Sequence, residues 1–208
     1  MIMGCSNSSD SNDVNTDKSK NSLQSATKSL VTPPVAAIAP EDNPKLEGTP
    51  VLGFKLGDST FDSVKARLRN YKVLKGESYA DGRLLGNDGS GFDIEGLQST
   101  NFAFDANNKL VGVTMSFKEA NKMSHETYRK LVDYVKARNY KVVKVVAPFV
   151  GNQSTEFSTP KQDMITVNSP HLDFNIYVEY ATQRFDQART DYLQQQSSQQ
   201  QNREATNF

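Results

Sequence analysis

The heptad Arg-Asn-Tyr-Lys-Val-Leu-Lys occupies residues 69–75, and Arg-Asn-Tyr-Lys-Val-Val-Lys returns at residues 138–144. The lead-in repeats too, with Val-Lys-Ala-Arg starting at Val64 and again at Val135. Few constraints on a fold are tighter than writing one helix exit and its following strand twice. Upstream of the first copy, Phe61, Val64 and Leu68 fall on one helical face, and Ser59 with Asp62 three residues on makes a capping-box pattern. Upstream of the second, Tyr128, Leu131, Val132 and Val135 form the apolar stripe, with Ser124 as N-cap. Asn139 suits the position just past a helix end.

Both copies are followed by strand patterns. "TNFAFDANNKLVGVTMSF" is a hairpin turning at residues 105–108, and Val111, Val113, Met115 and Phe117 alternate toward a core. "STEFST" and "DMITVN" form a second hairpin around Pro160. "DFNIYVEY" closes the sheet, with Phe174, Ile176, Val178 and Tyr180 on one face and Tyr177 on the other. The reading is an α+β fold: a duplicated helix–strand–strand–strand unit, with helices packed on one face of an antiparallel sheet. Each unit alone is too small for much stability, so the two share a sheet or a core.

Composition places this domain between polar ends. Residues 6–47 run through Ser, Asn, Asp and Lys, then Pro and Ala, and bury too little apolar surface to offset ordering entropy. They read as a disordered linker. Residues 186–208 read as a Gln-rich disordered tail, with a short helix starting near Ala181. The domain spans 48–185, in halves of 48–119 and 120–185. Lys plus Arg and Asp plus Glu are both 24, which argues against a nucleic-acid partner. No run approaches the 18 or so apolar residues of a membrane span.

Residues 1–5 carry the sharpest local signal. Ile2-Met3-Gly4-Cys5 resembles the end of a bacterial lipobox, whose cysteine receives lipid. That resemblance implies an anchor at Cys5, and Ser6 after it implies the outer membrane. The polar stretch that follows would reach roughly 35 Å as a tether. A basic and apolar leader does not precede Cys5 in the chain as written. Read from Met3, "MGCSNS" instead fits the myristoylation pattern, with a palmitoylatable cysteine beside it. A third reading is an unlipidated cytosolic binding module with a free cysteine.

"LGDSTFDSVKARL", followed by the hairpin "FAFDANNKLVGVTMSF", is similar to the small-protein-A/outer-membrane-lipoprotein-A group over about 56–117. Gly57, Ser59, Val64 and Leu68 match the helix motif. The resemblance implies a lipid-anchored envelope protein, and a tandem form of that fold occurs in the β-lactamase inhibitor protein. The second half lacks the Leu-Gly opening, and no inhibitory or assembly residue carries over.

Chemistry is sparse. His125 is followed by Glu126 but not by the second histidine of a zinc-protease helix, and His171 sits in a turn after Pro170. Both read as solvated or capping residues. The Gly86–Glu95 loop is the candidate binding segment, through Asn87, Asp88, Ser90, Asp93 and Glu95. Its glycines lack the Gly-Lys-Ser/Thr of a phosphate loop, and its acids miss calcium-loop spacing. Extended, Asp93 and Glu95 would share a strand face. No catalytic residue, metal or cofactor is assigned. The expected function is a non-enzymatic module of the bacterial outer membrane, facing the periplasm, that binds another envelope protein in assembly, inhibition or immunity. The alternative is a periplasmic small-molecule or metal-binding protein using the Gly86–Glu95 loop.

Overall fold

Asparagine tolerates the left-handed backbone region that other side chains avoid. Both heptads use it: Asn70 has φ 50° and Asn139 φ 58°. Each asparagine therefore turns the chain sharply out of a helix and into a strand. This is seen in a computed structural model that describes residues 47–206. Cys5 lies outside the described residues, as does the expected linker apart from Glu47.

The described residues form ten strands and three helices. A small hairpin comes first, β1 (Thr49–Val51) and β2 (Phe54–Leu56). Helix α1 (Phe61–Arg67) follows, then β3 (Tyr71–Val73), β4 (Asp81–Asn87), β5 (Leu97–Asp105) and β6 (Leu110–Lys118). Helix α2 (Glu126–Lys136) leads into β7 (Lys141–Val146), β8 (Gln153–Ser158), β9 (Met164–Ser169) and β10 (Asn175–Ala181), and α3 (Gln183–Thr206) ends the chain. The main sheet is antiparallel, in the order β3-β4-β5-β6-β10-β9-β8-β7. The order reads outward from a central β6·β10 pair, and the two repeated heptads lie at its outer edges.

Four strands follow each helix, where the sequence reading has three. The extra one in the first stretch is β4, in a glycine-rich segment expected to be a loop holding one or two short strands. Its glycine is required inside the sheet: a Cβ on Gly82 would stand 2.2 Å from the Phe104 carbonyl oxygen. The first cap is shifted by one residue. Thr60 caps α1 in a reciprocal capping box with Ser63, and Ser59 instead accepts the Lys55 N–H at 2.8 Å. The 105–108 turn is as expected, with Asp105 Oδ1 accepting the N–H groups of Asn107 (2.9 Å) and Lys109 (2.8 Å).

One apolar cluster joins Phe61 and Val64 of α1, Leu68 just after it, and Leu131, Val132 and Val135 of α2 to Phe102, Phe117, Ile165 and Val178 of the sheet. The β1–β2 hairpin adds Val51, Phe54 and Leu56. Its Thr49 hydroxyl donates to the buried carboxylate of Asp163 at 2.5 Å, in the turn between β8 and β9. Burial pushes the Asp163 carboxyl up, against the Thr49 hydrogen bond and nearby Lys161.

A second cluster, Ala103, Val111, Ala181 and Phe185, seats α3. The Phe185 ring lies so near Gly112 that a Cβ there would meet it at 2.9 Å. The segment expected to be a disordered tail is helical as far as Thr206. Tyr79 packs edge-on against Phe185 and tilted against Tyr192, and Arg189 pairs with Glu179 and Asp186. Further along, side-chain pairs four residues apart take over: Gln196 to Tyr192 and Gln200 to Glu204. Glutamine is a good helix former, so low hydrophobicity did not imply coil.

Replacing Asn139 tests the left-handed exit. Asn139→Ala is expected to cost about 1 kcal/mol, and Asn139→Gly close to nothing, in urea denaturation. Equal losses would mean the asparagine acts through its side chain instead.

Candidate functional site

The candidate loop divides into two parts with different roles. Asn87 is the buried last residue of β4. Its amide donates to the Arg69 carbonyl, and its Oδ1 accepts the Gly89 N–H at 2.8 Å. Asp88 Oδ1 accepts the Ser90 N–H at 3.0 Å, and the Ser90 hydroxyl and N–H hold this exposed carboxyl below its ordinary range. Ser90 Oγ in turn accepts from the Asn70 amide at 3.1 Å. Asn87, Asp88 and Ser90 thus close a turn and tie it to the exit of α1.

Asp93 and Glu95 do something else. They lie in the connection to β5, not on an extended strand. There they help line a cleft of about 810 Å³ between that connection, the β1–β2 hairpin, the sheet and α2. Glu95 reaches across to Lys130 of α2 at 2.6 Å. The hydrogen bond and charge of Lys130 hold the Glu95 carboxyl low, and Glu95 raises the lysine in return. Both side chains are largely exposed, so solvent screens the pair and it adds little to stability. Met115, Phe117, Val178, Leu131 and Val135 lie beneath, all core residues. Among the described residues, no group of three or more His, Cys, Asp or Glu side chains is placed to hold a metal ion.

Helix α2, one wall of this cleft, is capped from a distance. Its N-cap residue is His125 rather than Ser124, in a left-handed conformation with no side-chain cap bond. The cap is Glu119, the residue after β6. Its buried carboxylate accepts the N–H groups of Thr127 (3.0 Å), Tyr128 (3.3 Å) and Asn121 (3.1 Å). Burial works to raise this carboxyl. The N–H donors and the Thr127 hydroxyl outweigh it and hold Glu119 below the usual range.

The two tyrosines of β10 separate as the strand pleat requires. The Tyr177 hydroxyl donates to Asp173 at 2.6 Å, whereas Tyr180 lines the cleft. Burial, then the neighbouring Tyr140, pushes the Tyr180 phenol up to about 12. Phe174 departs from the expected alternation. It precedes β10 and is exposed.

A second feature sits at one end of the sheet. Antiparallel pairing puts the end of β6, the β7–β8 loop and the β9–β10 loop on the same side. Local contacts tie them together. Lys122 Nζ donates to Pro170 O at 3.3 Å and lies 5.5 Å from the Phe174 ring, and His171 N–H donates to Asn152 Oδ1 at 2.8 Å. These loops expose Met123, Phe149, Val150, Leu172 and Phe174. Sequence reasoning missed this group, because single apolar residues in separate loops carry no periodic signal.

Comparison of the chain with protein-family models, with characterised proteins and with solved structures yields no match.

The Glu119 cap gives a direct test. Glu119→Gln is expected to cost about 1–3 kcal/mol at pH 7. Because the folded-state carboxyl is held low, its stabilisation is present above the ordinary glutamate value of about 4.3 and is lost as pH falls through the folded value. Denaturation of wild type and variant should therefore converge on acidification. A difference that persists unchanged at pH 3 would remove the charge from the explanation.

Proposed function

We propose that the chain is a non-enzymatic protein-binding module, held at the bacterial outer membrane through lipid on Cys5 and docking through the apolar end of its sheet. The observation that carries the docking part is the set of exposed side chains Met123, Phe149, Val150, Leu172 and Phe174 on three adjoining loops. Exposed aromatic and aliphatic groups gathered in one place mark interaction surfaces more often than scattered ones do. The partner is another envelope protein. The Ile2–Cys5 pattern supports the anchor.

The fold belongs to this proposal as a tandem duplication with one join. Three features support it: the strand order reading outward from β6·β10, the same left-handed asparagine after α1 and α2, and the repeated heptads at both outer edges. Helices α1 and α2 share the larger apolar cluster, which supports their packing on one sheet face.

Two measurements test the reading. A photo-crosslinking residue at Phe149 or Leu172 should capture an envelope protein in the native host, while one at Gln187 on α3 should not. The Phe149→Ser, Leu172→Ser double variant should lose that capture with stability changed by no more than about 0.5 kcal/mol, since both side chains are exposed. Capture that is equal at all positions, or unchanged in the double variant, overturns the docking surface. Separately, the amino-terminal peptide from host membranes should begin at a diacylglyceryl-modified Cys5. A free thiol behind an intact Met1 would remove the anchor.

A further inference from the structure

The cleft beside α2 is independent of both the lipid anchor and the loop end, and its two ends differ chemically. Near the β4–β5 connection it is ringed by Asp93, Glu95 and Glu126 with Lys118 and Lys130, and Glu95 and Lys130 satisfy each other. Near the end of α2 stand Arg138 and the Tyr180 hydroxyl. Neither side chain has a hydrogen-bond or ion-pair partner among the described residues. Arg138 bears a permanent charge. Tyr180 keeps its proton at neutral pH and so acts as a donor. Strand register separates the ends: Lys118 is level with Asn175 at one end of β10, and Tyr180 is level with Val113 toward the other.

Between the ends the lining is apolar. Half-buried Leu52 and Ile94 form walls above the core side chains Met115, Phe117, Leu131 and Val178. The cleft follows α2 from Glu126 to Arg138, about 18 Å at the helical rise. Its volume of about 810 Å³ falls in the range of small-molecule sites.

We propose that this cleft binds an elongated apolar molecule bearing one anionic head, of the fatty-acid or single-chain lipid class, with the head on Arg138 and Tyr180 and the chain along α2. Two neighbouring donors without acceptors define the head position, whereas at the opposite end Asp93, Glu95 and Glu126 outnumber Lys118 and Lys130 and leave a net negative charge that disfavours an anion there. A guanidinium beside a hydroxyl suits a carboxylate or a phosphate oxygen. The Glu95–Lys130 pair bridges the chain's path and must swing aside or arch over it. As a weak exposed pair it can do so at small cost.

Titration calorimetry on the full-length chain, with the probes kept below their micelle concentrations, tests this. Dodecanoate and dodecyl phosphate present the two head groups, and dodecanol presents neither charge. At least one anion should saturate at a single site, about tenfold tighter than dodecanol, and the stronger of the two identifies the head. Arg138→Gln with Tyr180→Phe should remove that advantage while leaving dodecanol binding unchanged. Methyl NMR should place the shifts at Met115, Leu131 and Val178. No saturable binding of either anion overturns the site. Dodecanol binding as tightly as the anions overturns the head-group assignment. Shifts confined to Val150 and Leu172 overturn the cleft, and leave the loop-end docking surface standing as the sticky feature of the molecule.

Discussion

The antiparallel pairing of β6 with β10 is the contact on which the rest of the structure hangs. Seven residue pairs run from Asn175↔Lys118 to Ala181↔Gly112. One face of this ribbon brings Met115, Phe117 and Val178 into the large core and under the cleft. The other face brings Gly112 and Ala181 together, where Phe185 of α3 sits. A slip of one residue would exchange these faces, exposing the core residues and blocking the seat of α3. The pairing also joins segments distant in sequence, so its loop-closure entropy must be met before its contacts form. The β10 alternation and the close Gly112–Phe185 contact hold the register.

Physical specificity decides what the cleft and the loop end can be. The cleft lies against residues whose positions are set by the core, so its shape is fixed by packing. The loop end is different: its apolar groups lie beyond the strand ends and contribute little to the core. A side chain such as Phe149 can change without disturbing the fold, which leaves it free for recognition. Asn87, Asp88 and Ser90 show the opposite case. They are polar and close in sequence, and their hydrogen bonds within the protein hold the turn after β4.

Much of the architecture is written locally, and that part was legible. Asn139 past a helix, the Asp105–Asn108 turn and the alternation from Val113 to Phe117 and from Ile176 to Tyr180 each act over a few residues, whereas Val111, expected on the same face as Val113, turns to the α3 cluster at the irregularity opposite Ala103 and Phe104. What escaped acts over distance, or through competing propensities. Glu119 caps α2 from the residue after a strand, with no short motif to announce it. Gly82 lies in a glycine-rich segment that reads as loop with short strands, and the long β4 needs it where the Phe104 carbonyl approaches. The Gln-rich end looks like coil by hydropathy, yet glutamine's helix propensity and a docked first turn extend α3. The cleft depends on which elements pack together, and no stretch of sequence encodes it.

The link between β1 and the turn at Asp163 has a mechanical meaning. The backbone N–H groups of Glu47 and Gly48 both donate to Asp58 at 2.7 Å, Glu47 pairs with Lys161 at 3.1 Å, and Thr49 is held by Asp163. A force pulling on the chain before Glu47 is therefore taken up by two remote parts of the domain at once. It does not peel away one free strand. The β8–β9 turn that shares the load lies at the opposite end of the sheet from the β7–β8 and β9–β10 loops. A pull applied before Glu47 would therefore leave Phe149 and Leu172 at the end of the sheet remote from the β8–β9 turn that takes the load.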